Sequence, residues 1–127
     1  MANTLGLPEN FVTIYRGQSK TLNVTVINPT DGKPLVLDGS SVYFTVRAEA
    51  SEGSPVLIQK TTVDPTQVDI TDSRRGVLQI YLLPADTSGL DLGDYVFDVW
   101  LILPTGEQFP VIPPSVFQIQ AGVTRLP

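Results

Sequence analysis

The chain has 127 residues, of which 42% are hydrophobic, and this fits one domain with a single core. Its formal net charge is −5, and its 8 Lys and Arg residues are scattered, which argues against binding to nucleic acid or to an anionic membrane surface. The sequence contains no Cys and no His, which excludes a disulfide framework, a thiolate metal site and the usual general base near neutral pH.

The share of charged residues is 17%, below the roughly 25% of an average soluble domain. Two interpretations of this low value are open. A surface poor in charge is typical of assembly proteins, because neighbours cover part of the outside. Alternatively, the chain uses Thr, Ser and Gln on its surface in place of Lys and Glu, as β-rich proteins often do.

Hydrophobic and polar residues alternate with a period of two along most of the chain, most clearly at 21–26, 42–47, 77–82 and 95–102. Such alternation predicts strands that turn one face toward a core. In chain order, strands are predicted at Phe11–Tyr15, Ser19–Asn28, Ser41–Ala48, Val56–Val63, Val68–Thr71, Gly76–Leu83, Asp94–Leu103, Gln108–Ile112 and Ser115–Ala121.

Turn signals rich in Gly, Pro, Asn and Asp separate these strands, and residues 84–89, with Pro first and Gly last, predict a short helical turn. Short strands divided by turns predict an all-β sandwich or barrel. We expect a sandwich domain over 11–121, an N-terminal arm at 1–10 and a C-terminal tail at 122–127. The N-terminus shows no secretory signal pattern, and the longest apolar run is far below the roughly 20 residues of a membrane span.

A more specific motif precedes the eighth predicted strand. Asp91, Gly93 and Tyr95 form the D-x-G-x-Y pattern of a tyrosine corner, in which the Tyr hydroxyl bonds to upstream backbone in Greek-key sandwiches. Antibody domains carry a Cys two residues after this Tyr, whereas Phe97 stands there in this chain, so apolar packing would replace the disulfide. The alternative is an ordinary Gly turn before a strand. With the motif, the sequence predicts an immunoglobulin-like Greek-key sandwich of about 7–9 antiparallel strands.

No residue pattern indicates catalysis or a bound cofactor. Acidic residues cluster at 64–72 and 86–98, but no calcium-loop motif is present, and turn and capping roles account for most of these Asp side chains. Ser19 lies outside a G-x-S-x-G elbow, and no His is available as its base. We therefore expect a protein that is not an enzyme and holds no metal or cofactor, with a small hydrolase using the Asp clusters as a remote alternative.

Trp100 lies on the strand face opposite Tyr95, Phe97 and Val99. If the latter face is core, Trp100 points outward, which is typical of a residue at the centre of a protein interface. If instead both faces of the strand are buried, Trp100 is buried as well. A Pro-rich apolar stretch at 109–114 follows, and its missing backbone donors suit a bulge, a guarded edge or a partner contact rather than a central strand. The candidate interface residues are Trp100, Ile102, Phe109, Val111 and Ile112.

The order of segments resembles the immunoglobulin-like domains of tailed-bacteriophage structural proteins, in particular the N-terminal domain family of the baseplate upper protein. The resemblance covers roughly residues 11–121 and is carried by Gly-Gln-Ser-Lys-Thr-Leu-Asn-Val-Thr-Val at 17–26, the segments 34–47 and 55–60, Gly-Val-Leu-Gln-Ile-Tyr-Leu at 76–82, and Gly-Asp-Tyr-Val-Phe-Asp-Val-Trp at 93–100.

The resemblance implies a virion building block that is assembled in the host cytoplasm and binds other phage structural proteins. A capsid decoration (cement) protein and a tail or baseplate component are equally compatible with it. A homo-oligomer is implied as well, and a trimer is expected by analogy with decorations at three-fold positions. The alternative function is a carbohydrate- or receptor-binding module, in which Tyr43, Tyr81 and Trp100 would stack on sugar rings.

Overall fold

The computed structural model describes residues 2–4, 11–28 and 30–124. Within these ranges the chain forms nine strands, a short helix and a single 3-10 turn at Ser73–Arg75. The strands and the helix are β1 (Ala2–Thr4), β2 (Val12–Tyr15), β3 (Lys20–Ile27), β4 (Ser41–Arg47), β5 (Val56–Thr61), β6 (Val68–Asp72), β7 (Val77–Leu82), α1 (Pro84–Ser88), β8 (Gly93–Ile102) and β9 (Gln108–Gln120).

The strands form two sheets. Sheet A has the order β1-β3-β7-β6, and sheet B has the order β2-β9-β8-β4-β5. All pairs are antiparallel except β2 with β9, which run parallel from Val12 opposite Phe117 to Tyr15 opposite Gln120. The prediction of only antiparallel strands is therefore wrong at this edge. A parallel pair needs a long connection, and nearly the whole domain connects these two strands.

The strand order is that of an immunoglobulin-like sandwich. The sequence β1-β3-β7-β6 corresponds to the A-B-E-D sheet of such domains, and β9-β8-β4 corresponds to G-F-C. Strand β5 extends this second sheet in the way that a C′ strand extends the variable type. The predicted fold class is confirmed, including the helical turn near 84–89.

Two strands were predicted at Gln108–Ile112 and Ser115–Ala121, whereas the structure has one continuous strand, β9, over both segments. Pro113 and Pro114 lie where the pairing with β8 shifts, between Val99 opposite Ile112 and Phe97 opposite Ser115. Strand β2 covers only the last residues of β9, from Phe117 onward. The prolines thus occupy a bulge on an otherwise open edge, where a missing N–H costs no ladder hydrogen bond.

The two ends of the chain are described only in part. Residues 2–4 of the predicted arm pair as a strand with β3, so this part of the arm belongs to sheet A. Residues 1 and 5–10 of the arm, and 125–127 of the tail, lie outside the described residues.

The core lies between the sheets and is centred on three phenylalanines. Phe44 and Phe97 have ring centroids 5.6 Å apart, and Phe117 lies 6.3 Å from Phe44 and 6.2 Å from Phe97. All three side chains are fully buried. Each such aromatic pair contributes about 0.5–1.5 kcal/mol beyond its buried area. Phe97, which stands at the position of the Cys of antibody domains, is one of the three.

Helix α1 fastens the two sheets together at one end of the sandwich. The Asp86 carboxylate lies 2.8 Å from Lys60 Nζ of β5, and it also accepts a hydrogen bond from the Leu83 N–H at the start of the helix. Thr87 is fully buried, and its hydroxyl oxygen accepts from the Gly17 N–H at 2.9 Å. The helix follows β7 of sheet A, so it links this sheet to β5 and to the β2–β3 turn.

Gly76 fixes the entry into β7. Its φ is +69°, in the left-handed region, and an added Cβ would lie 2.5 Å from the carbonyl oxygen of Val26. No other residue fits this close approach between the β7 entry and β3 without a backbone shift.

Among the described residues, no helix has both the length and the apolar composition that crossing a bilayer requires.

Candidate interaction surface

The outer face of sheet B is rich in aromatic and aliphatic side chains. Strands β4 and β8 pair in antiparallel register, and their alternate residues point either into the core or outward. The outward residues of this sheet form what we call the aromatic face, and its large members are Tyr15, Tyr43, Val96, Trp100, Ile102 and Val116.

Trp100 and Tyr43 form the centre of this face. Their Cα atoms are directly opposed across β8 and β4, so the two rings are cross-strand neighbours. Trp100 is 39% exposed, which excludes the alternative that both faces of β8 are buried at this position. Its indole Nε1–H donates to Asp98 Oδ2 at 2.9 Å, a partner two residues away on the same face. This hydrogen bond restrains the orientation of the indole ring, and the residue remains partly exposed on the outer face of the sheet.

Two depressions lie on this face. Tyr43 and Trp100 both line the first, a groove of about 330 Å³, which is also lined by Thr45, Arg47, Glu52, Gln59, Asp98, Ile102 and Gln108. A neighbouring hollow of about 180 Å³ shares Thr45, Arg47, Glu52 and Asp98 with the groove. Arg47 Nη1 donates to the carbonyl oxygens of Glu52, at 3.1 Å, and Ser54, which holds the guanidinium against the loop before β5.

The predicted interface residues divide between this face and the core. Trp100 and Ile102 lie on the aromatic face, and Phe109 is half-buried against the core. Val111 and Ile112 are 1% and 0% exposed, so their assignment to an exposed interface is wrong. The register shifts between Phe97 and Trp100 interrupt the alternation of β9, so two consecutive residues face the core.

The D-x-G-x-Y motif adopts the contact that it predicts. Tyr95 Oη donates to the backbone carbonyl oxygen of Asp91 at 2.7 Å. Gly93 lies between them with φ +139° and begins β8. The bond fixes the connection from α1 to β8, and Asp98 and Trp100 lie on that strand.

The outer face of sheet A, which we call the polar face, carries a different surface. Thr21, Asn23 and Thr25 of β3 face outward beside Gln79 and Tyr81 of β7. Gln79 Nε2 donates to Asn23 Oδ1 at 2.8 Å, and Tyr81 Oη donates to Gln79 Oε1 at 2.9 Å. Tyr81 thus lies on the opposite side of the sandwich from Tyr43 and Trp100, and the three predicted sugar-stacking rings do not form one site.

Several of the clustered acidic residues have structural partners within the domain. The Asp64 carboxylate accepts from both the hydroxyl and the N–H of Thr66, and these hydrogen bonds lower the pKa of Asp64 below its ordinary value. Asp72 caps the 3-10 turn through the Arg75 N–H, and Asp94 accepts from Gln118. In the part of the chain that the structure describes, no group of three acidic side chains could hold a metal ion.

Three features of the structure were not predicted from the sequence. The Asp98–Trp100 hydrogen bond has a local signal, because residues i and i+2 of a strand share a face. The position of Tyr15 at the edge of this face depends on the parallel β2–β9 pair, which has no local signal. The ion pair between Lys60 and Asp86 has no local signal either, because the two residues are 26 positions apart in the sequence.

Comparisons with known proteins add little to this picture. No family model matches the chain, and no curated protein does. Among solved structures, one of murine CRIg is similar over 94% of this chain and 99% of its own, with 19% identity and a TM-score of 0.41. The immunoglobulin-like fold assignment accordingly relies on the strand order and register described above.

Proposed function

We propose that this chain is a non-catalytic assembly domain that binds another protein through the aromatic face and serves as a structural component of a bacteriophage virion. One observation carries the binding part of the proposal, namely the cross-strand pair of Tyr43 and Trp100 held outward on a five-stranded sheet. Trp and Tyr are the residue types most enriched at the energetic centres of protein interfaces.

The two edges of sheet B are protected against the addition of another strand, which favours contact through a face of this sheet. Lys60 points inward from edge strand β5, and Gln67 Oε1 accepts from the Thr61 N–H at the end of that strand. On the other side, prolines between 110 and 114 occupy the part of β9 that β2 leaves uncovered. Inward charges and prolines are devices that block edge-to-edge pairing, so the faces remain as the surfaces for a partner.

The composition of the aromatic face also fits an interface. Its centre is aromatic and aliphatic, and polar residues such as Gln59, Asp98 and Gln108 surround it. An apolar centre within a polar rim is the usual arrangement of protein interfaces. The low share of charged residues in the whole chain agrees with partial coverage by neighbours.

The location in a virion is supported by the resemblance of residues 11–121 to tailed-phage structural domains. A capsid decoration protein and a tail or baseplate component both satisfy the proposal. A homo-oligomer, with a trimer as the expected form, is part of it. Native mass spectrometry of the purified chain tests the oligomer directly, and a strictly monomeric spectrum at high concentration would count against it.

Co-expression with the structural proteins encoded beside its gene tests the proposed function. We expect the chain to co-elute with at least one of them, and we expect Trp100→Ala to weaken this complex by about 30-fold, as for a hot-spot residue. Tyr81→Ala is the matched control, because it removes an aromatic ring from the polar face. Loss of binding with Tyr81→Ala but not with Trp100→Ala would contradict the proposal.

A carbohydrate-binding module is the second candidate. The groove of about 330 Å³ combines two aromatic rings with amide and carboxylate side chains, which is a lining that a sugar ring and its hydroxyls could use. Binding of a purified chain on a glycan array, with loss of that binding in Trp100→Ala, would support this function. An empty array would remove it.

A further inference from the structure

The charges around the groove restrict what the aromatic face can bind. Acidic residues outnumber basic ones in the lining: Glu52 and Asp98 line both the groove and its neighbouring hollow, Glu49 lines the hollow, and Arg47 is the one basic residue among the lining residues. Arg47 directs Nη1 to the backbone carbonyl oxygens of Glu52 and Ser54, so this part of the guanidinium is already engaged. The depression therefore has an excess of negative charge, in a chain whose net charge is −5.

The indole of Trp100 adds a second attraction for a cation. Its N–H is bonded to Asp98, so that polar edge of the indole is occupied, while the residue as a whole is 39% exposed. A guanidinium or ammonium group over an indole face is attracted by the ring quadrupole, and Trp is the best of the aromatic residues for this contact. The Asp98 carboxylate, two positions away on the same strand face, places a negative charge at the edge of that ring.

We infer that the aromatic face takes a cationic side chain, preferably Arg, from an exposed segment of a partner protein, stacked on Trp100 and paired with Asp98 and Glu52. Arg suits the site better than Lys, because its planar guanidinium stacks on an aromatic ring and can also bond a carboxylate with two N–H groups. This inference deepens the proposed function, since it names the chemistry of the partner at the same surface.

The test uses the isolated chain and needs no identified partner. The probes are the capped peptide Ac-Gly-Gly-Arg-Gly-Gly-NH₂ and the same peptide with citrulline, which keeps the shape of Arg and lacks its charge. Titration is followed by NMR at the indole N–H of Trp100. We expect a saturable shift with the Arg peptide and at least about twofold weaker binding of the citrulline peptide, the lower limit for an exposed cation–π contact.

Two substitutions separate charge from shape. Asp98→Asn keeps an oxygen that can accept from the indole N–H while it removes the charge, and Glu52→Gln does the same on the loop side. Each substitution is expected to weaken binding of the Arg peptide by about twofold or more and to leave binding of the citrulline peptide unchanged. Asp69→Asn, on an edge strand of sheet A, is the control and is expected to change neither.

Each outcome decides the inference. Equal binding of both peptides, or no binding of either, would overturn it. A protein partner that needs Trp100 but is insensitive to Asp98→Asn and to added salt would overturn it as well, while the proposed assembly function would stand. Failure of the proposed function itself would show instead as the absence of any complex that depends on Trp100.

Discussion

The outer faces of the two sheets are built on the same strand geometry but carry opposite chemistry. On the polar face, Gln79 bonds to both Asn23 and Tyr81, so the polar groups at its centre have partners within the chain. On the aromatic face, Trp100 and Tyr43 stand opposite each other beside a groove, and of these two side chains only the indole N–H of Trp100 has a described partner. Polar groups that bond to each other gain little from a neighbour, whereas exposed rings gain free energy when another surface covers them.

The two outer faces keep their positions only if the two sheets stay packed together, and α1 is one of the elements that join the sheets. Asp86→Ala is expected to give the largest loss of stability, about 3 kcal/mol, because it leaves the Lys60 ammonium buried without its partner. The side chains of Lys60 and Asp86 are only 7% and 19% exposed, so solvent does little to replace the lost contact. Urea denaturation followed by Trp100 fluorescence measures the effect.

Two further variants control this prediction. Asp91→Ala removes an acidic side chain from the same connection while the carbonyl that Tyr95 uses remains, and it is expected to leave stability nearly unchanged. The double variant Lys60→Met, Asp86→Ala is expected to be more stable than Asp86→Ala alone, because no unpaired charge stays buried. Equal stability of the double and single variants would show that the ion pair does not hold the helix.

The second prediction concerns a substitution at the centre of the aromatic face. Trp100→Ala is expected to weaken partner binding by about 2 kcal/mol or more, with a far smaller effect on folding, since Trp100 is not part of the core. Calorimetric titration against the co-eluting partner measures the first effect, and thermal unfolding measures the second. A variant that unfolds without losing affinity per folded molecule would contradict the assignment of Trp100 to an interface.

The contrast between the faces was only partly readable from the sequence. Alternation predicted that Phe97, Val99 and Leu101 share one face of the strand and that Trp100 lies on the other, because a strand has a period of two. It left open whether the face of Trp100 is exposed or buried. Alternation failed at Val111 and Ile112, where the shifted register of β9 turns both residues inward. The prolines of this stretch are compatible with a bulge, but which side chains a bulge turns inward depends on how two distant strands pair, and no local pattern records that pairing.

Other parts of the site were beyond sequence reasoning for the same reason. The parallel β2–β9 pair, which brings Tyr15 to the edge of the aromatic face, depends on the whole chain between those strands. The separation of Tyr81 from Tyr43 depends on which strands share a sheet, and composition cannot distinguish the two outer faces. The tyrosine corner was readable, because all of its atoms lie within five consecutive residues.

The third prediction addresses the polar face. Gln79→Ala removes the centre of the network with Asn23 and Tyr81 and is expected to cost about 1 kcal/mol of stability. Partner binding is expected to be unchanged, so this variant shows the reverse of the effect of Trp100→Ala. Parallel measurements of unfolding and of affinity on both variants check this opposition. A loss of affinity in Gln79→Ala would show that the polar face also contacts the partner.

The smallest expected effect concerns the turn that carries the chain from β5 of sheet B to β6 of sheet A. The hydrogen bonds from Thr66 hold the pKa of Asp64 below its ordinary value of 3.8 in the folded chain. A depressed carboxyl pKa contributes stability that is present above 3.8 and is lost as the pH falls through the folded value. Asp64→Asn is therefore expected to remove part of the acid sensitivity, measured as the difference in urea midpoint between neutral and acidic pH. An unchanged difference would show that Asp64 contributes nothing to it.

Covalent footprinting of the chain, free and within its assembly, tests the central claim most directly. The reagent labels exposed side chains, and mass spectrometry then quantifies labelling at Tyr43, Tyr81 and Trp100 in the same sample. The account predicts that assembly protects Trp100 and Tyr43 while Tyr81 keeps its labelling. Protection of Tyr81 with unchanged labelling of Trp100 would contradict the assignment of binding to the aromatic face.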